Sequence, residues 1–387
     1  MMNICMVAYT FYEFDNRVRR YAETLISEGH DVDMVALRYG DQPKIEVIEG
    51  VTVHRIQPRT LNEKTRWSYL WRLLTFLFRS FLLLSWKYFT KRYKLIHVHS
   101  VPDFEVFAAL IPRLLGCPVI LDIHDIVPEF YASKFNTSKE SMFYKALIFV
   151  ERISIGFSNQ VIISNHLWEK TLKTRGIPES KLTTIVNYPD PKVFKNRSIS
   201  KTSENFLMIY PGTLNWHQGV DLAIKAFAKI NSRFPKAQFH IYGGGPEKEN
   251  LERLVVELGL KKKVIFKGMV PREQAAEVMA KSDLGIVPKR SDSFGNEAFS
   301  TKTLEFMALG VPVLISETAV DRYYFNDDIA IFFQAGDVDD LAAKIGHLIS
   351  DQALRQKLAK NAIVFAEKNN WGVKSPIYLD LVERLTS

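Results

Sequence analysis

The sequence predicts an α/β protein with two Rossmann-like domains that face each other across a cleft. Apolar runs of strand length alternate with amphipathic helical patterns in two series, one beginning near residue 3 and one near residue 206. A polar run without either period, 195–205, separates the series and is the predicted linker. At 387 residues the chain can form two domains, each with its own core. We therefore expect the ligand in the cleft.

The first half begins with a strand–helix–strand unit, the building block of a parallel sheet. Strand 3–8 is followed by helix 17–28, which Gly29 closes, and by strand 31–37. Further strands are predicted at 51–56, 95–99, 118–123, 160–163 and 182–186, with helices at 102–115, 141–155 and 166–175. His124 and Asp125 follow strand 118–123 directly, at the carboxyl end where doubly wound sheets bind ligands.

The second half repeats the alternation. Strand 206–210, loop 211–219 and helix 221–234 open it. Later strands are predicted at 238–242, 263–266, 283–288 and 313–315, and helices at 247–258, 272–281, 303–309, 340–350 and from 353 onward, with a break near 371–372. This half is therefore expected to form a second parallel sheet.

Composition and charge exclude several classes of protein. The apolar content of 47% and charged content of 24% indicate a folded globular chain. Cys5 and Cys117 are too few for a disulfide framework or a zinc site, and residues 3–9 lack the basic flank of a secretory signal. The net charge of +8 is concentrated at 65–94, a segment without acids. We expect no nucleic-acid binding, because that requires a dispersed basic face.

The basic segment predicts an amphipathic helix at about 67–92. Arg72, Arg79 and Lys87 recur at two-turn intervals and would form one basic stripe, while leucine and aromatic residues, including Trp67, Trp71 and Trp86, cover the rest. The arginines interrupt every window long enough to span a bilayer. The favoured interpretation is a helix in the interface of an anionic membrane. The alternative is a helix of the domain core whose arginines reach its surface.

A strand–loop–helix segment, 283–310, carries the strongest chemical pattern. Its polar loop ends at a helix N-terminus, where unpaired N–H groups and a partial positive charge suit a phosphate. Glu297 lies in the loop, Glu305 lies about one turn into the helix, and Lys302 stands between them. A second long loop, 211–219, contains Gly212 and His217. The glycines 243–245 indicate either close approach to a phosphate or a tight turn.

These motifs resemble the retaining glycosyltransferases of family 4, which have the GT-B fold. The motifs are Pro-Gly-Thr-Leu-Asn-Trp-His-Gln-Gly at 211–219, Tyr-Gly-Gly-Gly-Pro at 242–246, Lys-Gly-Met-Val at 267–270, and Glu297-x7-Glu305 followed by Phe-Met-Ala-Leu-Gly-Val-Pro-Val. The resemblance covers essentially the whole chain and is most specific over 206–315. It implies an acceptor domain at 1–195, a nucleotide-sugar domain at 206–365, and a C-terminal helix, 366–387, that crosses back to the first domain.

The resemblance also implies roles for individual residues. Glu305 would hold the ribose hydroxyls of a sugar nucleotide, and Glu297 would hold the donor sugar with backbone groups of Ala298, Phe299 and Ser300. His124 would face the transferred sugar. Asp15 and Arg17, together with the helix at 67–92, would receive the acceptor. The remaining residues of the implied donor site are Gly212, Thr213, His217, Gln218, Gly243, Gly268, Met269 and Arg290.

The chain departs from the family pattern at the diphosphate. Members commonly carry an Arg after the loop glycine and a Lys before the closing one, where this chain has Thr213 and Gln218. Ser300 replaces a usual glycine, and 9–15 replaces an N-terminal Gly-Gly loop. Stabilising the leaving group is normally the largest catalytic effect. We therefore expect Lys302, with Arg290 and His217, to supply the positive charge.

The expected function is metal-independent retaining transfer of a sugar from a UDP- or GDP-linked donor. The acceptor would be a lipid-linked or other saccharide in polysaccharide or glycan biosynthesis, at the cytoplasmic face of the cell membrane. No cofactor is expected besides the donor substrate. No carboxylate is an obvious nucleophile, which favours same-face attack with the departing phosphate as base. The alternatives are a GT-B sugar-nucleotide epimerase and a non-catalytic subunit of a glycan assembly complex.

Overall fold

A computed structural model describes residues 1–59, 66–135, 138–196 and 205–387. These residues form two compact units, Met1–Val186 together with Ser375–Ser387, and Asn187–Lys374. Each unit contains a mainly parallel sheet with helices, so the predicted pair of Rossmann-like domains is confirmed. Most of the predicted linker falls at 197–204, outside the described residues.

The first unit alternates strands and helices along the chain. Its strands are β1 (Asn3–Ala8), β2 (Asp31–Arg38), β3 (Ile45–Ile48), β4 (Val51–Pro58), β5 (Leu95–His99), β6 (Val119–Ile123), β7 (Gln160–Ile163) and β8 (Leu182–Thr184). Its helices are α1 (Asn16–Ser27), α2 (Arg66–Lys91), α3 (Leu110–Leu114), α4 (Val127–Phe135), α5 (Met142–Phe157) and α6 (His166–Thr174).

The order of strands in this sheet fixes where a ligand would meet it. The order is β3-β4-β2-β1-β5-β6-β7-β8, and every pair is parallel except β3 with β4. The chain order reverses between β1 and β5, the switch point at which doubly wound sheets bind ligands. β5 and β6 are buried along their whole length, yet they contain His97, His99 and Asp122. Polar residues in strands covered on both faces need internal partners.

Three features of this unit differ from the sequence-based expectation. The strand β3 was not predicted, because Ile45 and Val47 are exposed on a short edge strand whose turn to β4 uses positive φ at Glu49 and Gly50 (47° and 83°). The predicted helix 102–115 is a 3₁₀ segment, Asp103–Ala109, followed by the short α3. The predicted loop after His124 contains α4.

The second unit follows the same plan. Its strands are β9 (Phe206–Pro211), β10 (Ala237–Tyr242), β11 (Val264–Gly268), β12 (Leu284–Val287), β13 (Val313–Glu317) and β14 (Ile331–Gln334). The helices are α7 (Val220–Ile230), α8 (Lys248–Glu257), α9 (Arg272–Ala280), α10 (Thr301–Ala308), α11 (Ala319–Tyr324), α12 (Val338–Ser350), α13 (Gln352–Lys368) and α14 (Trp371–Thr386), whose residues from Ser375 onward belong to the first unit.

All strand pairs of the second sheet are parallel, in the order β11-β10-β9-β12-β13-β14. Alternate residues along β9 enter opposite cores: Met208 and Tyr210 pack with α7, α8 and α12, whereas Ile209 packs with α9, α10 and α13. The chain order reverses between β9 and β12. The loops after these two strands, 212–219 and 288–300, therefore lie at the switch point.

Candidate functional site

The loops after β9 and β12 touch each other through their backbones. A Cβ atom at Gly219 would lie 2.0 Å from the carbonyl oxygen of Pro288, so only glycine permits this approach. The N–H of Arg290 donates to the carbonyl of His217 at 2.9 Å. These contacts bring the two loops that the sequence singled out into one site at the carboxyl edge of the second sheet.

Lys302 lies in the first turn of α10 and reaches into the loop after β9. Its Nζ donates to Oε1 of Gln218 at 3.2 Å and lies 5.4 Å from the centre of the Tyr210 ring. A Cβ atom at Gly212 would lie 2.2 Å from Cε of Lys302. Burial lowers the pKa of Lys302 to about 8, although Glu305 opposes the shift. The structure thus holds a partly buried cation against an amide oxygen and an aromatic ring.

The N-terminus of α10 adds hydrogen-bonding groups to the same place. Ser300 precedes the helix, but its side chain makes no capping hydrogen bond. Among the described residues, the buried hydroxyls of Ser300 and Thr303 have no hydrogen-bond partner. With the unpaired N–H groups of a helix N-terminus, this arrangement suits an anion.

Lys289 holds the loop that carries Glu297 in place, and the sequence pattern did not single it out. Its buried Nζ donates to the carbonyl of Ala298 at 2.6 Å and lies 2.8 Å from Oδ2 of Asp321. Burial lowers the pKa of Lys289, and Asp321 opposes that shift. Asn296 accepts from the N–H of Ala319 through its side chain at 2.9 Å. A lysine immediately after the apolar run 283–288 was the available signal, but its partner lies 32 residues further on.

The other two predicted cations of this region already have acidic partners. Nδ1 of His217 lies 2.8 Å from Oδ2 of Asp292. Although burial opposes it, hydrogen bonds from His217 and from two backbone N–H groups lower the pKa of Asp292 to about 2. Arg290 forms two hydrogen bonds of 2.9 Å with Asp221 and stacks on Trp216, 4.6 Å from its ring centre. Their part in diphosphate binding stays a prediction.

The glycines after β10 shape the floor of the loop at 212–214. Gly243 has φ of +131°, and a Cβ atom there would lie 1.9 Å from the carbonyl oxygen of Gly212. Its N–H donates to the carbonyl of Gly268 at 2.7 Å. The described contacts of Gly243 are therefore those of a tight backbone junction. Met269 is 78% exposed beside it, and the hydroxyl of Tyr210 donates to the carbonyl of Thr213 at 2.8 Å.

The switch point of the first sheet holds a buried carboxylate. Asp122, on β6, is fully buried and accepts from Nε of Arg17 at 3.1 Å, with a second hydrogen bond from the same guanidinium. Its Oδ2 lies 3.0 Å from Nδ1 of His99 and 3.0 Å from Nε2 of His124. Although burial opposes ionisation, Arg17 holds the pKa of Asp122 well below its usual range. One carboxylate therefore orients three positively polarised groups.

The structure gives the predicted residues of this region distinct positions. His124 keeps 20% of its side chain exposed, whereas Arg17 is buried against Asp122 and reaches His124 only through it. Asp15 caps α1 by accepting from the N–H of Arg17 at 3.2 Å and of Val18 at 3.1 Å. The sequence pattern did not single out Asp122 or His99. Their signal was the presence of polar residues in buried strand runs, two histidines in 95–99 and one aspartate in 119–123.

A ring cluster extends from this carboxylate to the C-terminal segment of the same unit. Nδ1 of His97 lies 3.0 Å from the hydroxyl of Tyr378, whose ring centre is 4.5 Å from that of Tyr21. One potential metal-ligating atom from each of His97, His99 and Asp122 lies within 4.8 Å of the other two. The guanidinium of Arg17 is bonded to the same carboxylate and disfavours a second cation there. The donor set fits an ion-pair network better than a metal site.

The three basic residues of the predicted stripe on α2 have different surroundings, and Arg79 alone of the three is exposed. Nζ of Lys87 lies 3.1 Å from Asp33 and 2.8 Å from Nε2 of His54, so it faces the sheet. Arg79 donates to the carbonyl of Ile56 at 3.0 Å, and Arg72 is half-buried. The exposed stripe is apolar instead and includes Trp71 and Trp86, at 72% and 65% exposure. The side chain of Trp67 lies outside the described residues.

Within the described ranges, none of the helices combines the length and the apolar character that crossing a bilayer requires.

Comparisons with known proteins assign a family model to each half of the chain. Residues 15–187 match the model described as "Glycosyl transferase 4-like domain". Residues 192–365 match "Glycosyl transferases group 1". The two matches follow one another along the chain and together cover nearly all of it.

Individual proteins agree with this assignment. An uncharacterized glycosyltransferase of Methanocaldococcus jannaschii is 26% identical over 354 residues, which are 88% of this chain and 86% of that protein. Sucrose-phosphate synthase from Thermosynechococcus elongatus has a TM-score of 0.82 at 19% identity, covering 100% of this chain and 99% of the other. Anabaena HepE in complex with UDP-glucose has a TM-score of 0.73 at 16% identity, covering 99% and 100%. These two structures show a shared fold.

Proposed function

Because the chain belongs to the family-4-like glycosyltransferases of GT-B fold, we propose that it is a retaining, metal-independent enzyme that transfers a sugar from a nucleotide-diphosphate sugar. The acceptor is a membrane-associated, lipid-linked saccharide in polysaccharide or glycan biosynthesis. The enzyme works at the cytoplasmic face of the membrane, as a peripheral protein. A UDP-linked donor has support from Anabaena HepE, whose structure was determined in complex with UDP-glucose.

The position of Lys302 is the observation that carries this proposal. Its Nζ stands at the switch point, beside Gly212 and against the side chain of Gln218. Family members commonly place an Arg and a Lys at the positions of Thr213 and Gln218, so their diphosphate contacts are missing here. A single ammonium that reaches the same loop from α10 compensates for that loss. The α10 N-terminus adds partial positive charge.

The remaining residues take roles in binding and transfer. Glu305 accepts hydrogen bonds from the ribose hydroxyls, and Glu297 accepts them from the donor sugar. An acceptor hydroxyl attacks the anomeric carbon on the face that the diphosphate leaves. A bond from the acceptor oxygen to that carbon forms as the bond to the phosphate oxygen breaks, and the departing phosphate takes the hydroxyl proton. His124, oriented by Asp122, stabilises the transferred sugar through its exposed edge.

The proposal is tested by comparing Lys302→Ala with Lys281→Ala, an exposed lysine at the end of α9. We expect Lys302→Ala to lower turnover of the donor by about 10²–10³-fold, the typical effect of removing one group that stabilises a developing charge. Lys281→Ala should retain wild-type turnover. Equally small effects of the two substitutions would contradict the assigned role.

The donor for that assay comes from a thermal-shift panel of UDP- and GDP-linked sugars. A donor present at a hundredfold its dissociation constant adds about 2.7 kcal/mol to the free energy of unfolding. The replacement of the usual cations by Thr213 and Gln218 favours a second candidate, a non-catalytic subunit that binds the nucleotide sugar. That candidate predicts a stabilising donor without hydrolysis or transfer, even when membrane extract supplies acceptors.

A further inference from the structure

A groove in the first unit runs between α2 and the β3–β4 hairpin. It has a volume of about 580 Å³, and its apolar lining comes from Ile45, Ile56, Pro58 and three residues of α2, Leu82, Leu83 and Trp86. Ile45 and Trp86 are exposed despite their size, at 61% and 65%. The groove is therefore an apolar surface open to its surroundings, in contrast to the buried cores on either face of a sheet.

The groove is continuous with the exposed stripe of α2. Phe78, Leu82 and Trp86 are spaced by four residues and are exposed together, which places them on one face of the helix. Trp71, Leu74 and Phe89 extend the same face in both directions. An apolar face of this length costs free energy when it is exposed to water, so we expect another apolar surface to cover it.

Basic side chains lie at the rim of the groove. Arg38, Lys44 and Arg79 line it, together with Arg55 and His54, and among the described residues its lining contains no acid. Arg55 is neutralised by Glu13 and Glu46. The buried Nε of Arg38 has no hydrogen-bond partner within the described part of the chain. The rim thus offers cationic groups beside an apolar floor.

We propose that this surface is a docking site for an anionic lipid, with the lipid phosphate at Arg38, Lys44 and Arg79 and the hydrocarbon along Leu82 and Trp86. An amphiphile with an anionic head is the chemistry that matches a cationic rim beside an apolar stripe. A soluble anion would leave the stripe uncovered, and a neutral bilayer would leave the rim unpaired. The inference deepens the proposed function, on which it rests for the use made of the membrane.

Vesicle co-sedimentation of the full chain tests the docking site without donor or turnover. We expect binding to vesicles of phosphatidylcholine with phosphatidylglycerol, weaker binding to phosphatidylcholine alone, and weaker binding at high ionic strength. Arg38→Gln with Lys44→Gln should lower the partition coefficient about fivefold for each charge removed. Phe78→Ser with Trp86→Ser should lower it at least as much on both kinds of vesicle. The matched controls, Lys357→Gln and Val364→Ser, alter exposed residues of α13 and should bind as the wild type does.

A fluorescent label locates the contact. Cys5 and Cys117 are buried, so an environment-sensitive thiol reagent would label an introduced Leu82→Cys selectively. Its emission should shift to shorter wavelength with anionic vesicles, whereas a label at Val364→Cys should not respond. The docking site would be overturned if the wild-type chain did not bind vesicles, or if the variants of the docking surface bound them as well as the wild type does. A dimer that Phe78→Ser with Trp86→Ser abolishes, without vesicle binding, would also overturn it and assign the face to a second copy.

Failure of this site can be separated from failure of the proposed function. Donor stabilisation and hydrolysis are measured in solution without vesicles, and no residue of the docking surface is assigned a role in them. If the chain hydrolyses the donor but does not bind vesicles, the docking site alone is wrong. If vesicles bind while every donor fails to stabilise the chain, the docking site stands and the proposed transfer is wrong.

Discussion

The two switch points of the molecule hold charges of opposite sign, and they differ in how many protein groups contact the charged side chain. Next to the switch point between β1 and β5, the buried carboxylate of Asp122 on β6 is surrounded by Arg17, His99 and His124, each within hydrogen-bond distance. At β9 and β12, the ammonium of Lys302 is partly buried against an amide oxygen and a ring. In the first arrangement both oxygens of Asp122 already have hydrogen-bond donors within the protein, although the buried Nε2 of His99 has no partner among the described residues. In the second, burial lowers the pKa of Lys302 to about 8 although Glu305 opposes the shift, so the loss of water disfavours the charged form.

The means of support also differ between the two regions. The first relies on ion pairs between residues far apart in sequence, such as Arg17 and Asp122. The second relies on close backbone contacts of glycines, such as Gly243 against Gly212 and Gly219 against Pro288. A preorganised side chain suits a group that must keep one orientation, whereas a tight glycine backbone leaves room for a ligand of several atoms.

Removing the charge of Asp122 should have the largest effect. Asp122→Asn leaves Arg17 buried without a counter-ion, which typically costs about 3–5 kcal/mol in the free energy of unfolding. It also turns one of the two acceptor oxygens into an N–H₂ donor, which disturbs the hydrogen bond that orients His124. We therefore expect kcat for the donor to fall about 10–100-fold, as for other orienting partners. Chemical denaturation and steady-state kinetics measure the two effects separately.

Asp33→Asn is the matched control for this substitution. Asp33 is a buried carboxylate of the same sheet, held by His54, Lys87 and Tyr93, whose hydrogen bonds lower its pKa although burial opposes them. We expect Asp33→Asn to destabilise the chain comparably while the folded fraction retains its kcat. If both variants lose stability and neither loses kcat, Asp122 supports the fold and does not position His124.

The sequence predicted the second unit better than the first for a physical reason. Its strands β9 and β12 are short apolar runs, each followed by a long polar loop. The sequence already indicated these loops through their glycines and through Glu297 and Lys302, and the site forms where the loops touch. In contrast, Arg17 and Asp122 lie 105 residues apart, and local patterns do not reveal such a pair. Lys289 and Asp321 escaped prediction in the same way. Lys87 was predicted to belong to a basic stripe of α2 because the period of the stripe was visible in the sequence, whereas the ion-pair partner of Lys87, Asp33, was not.

The close backbone contact between Gly243 and Gly212 in the second unit can be disrupted by a single substitution. Gly243→Ala places a methyl group against the carbonyl of Gly212 and retains a φ that L-residues rarely adopt. Strain and overpacking together should cost about 2–4 kcal/mol in the free energy of unfolding. The shift of the loop at 212 should also weaken donor binding. Thermal unfolding with and without the donor measures both.

Gly244→Ala is the matched control, one residue away. A Cβ atom at Gly244 would meet only Met269, at ordinary contact distances of 3.5 and 3.6 Å. Its effect on the free energy of unfolding should lie within about 0.5 kcal/mol. Similar losses in the two variants would mean that the glycine run is needed as a whole, and not for the junction between Gly243 and Gly212.

The smallest expected effect is a change in pH dependence at Lys302. Since its pKa is lowered to about 8, the ammonium loses its proton as pH rises through that value, and kcat/KM of the wild type should fall about tenfold by one pH unit above it. Lys302→Arg keeps its charge in this range, so its profile should stay flat even if its plateau is lower. Lys281→Arg should reproduce the wild-type profile.

The effect of Lys302 on stability has the opposite sign to its effect on activity. Between about pH 8 and the ordinary pKa of lysine, Lys302 is protonated in the unfolded chain and neutral in the folded chain, so this group adds to the free energy of unfolding as pH rises there. Unfolding through this group therefore cannot cause the decline, and parallel profiles for wild type and Lys302→Arg would show that another group titrates.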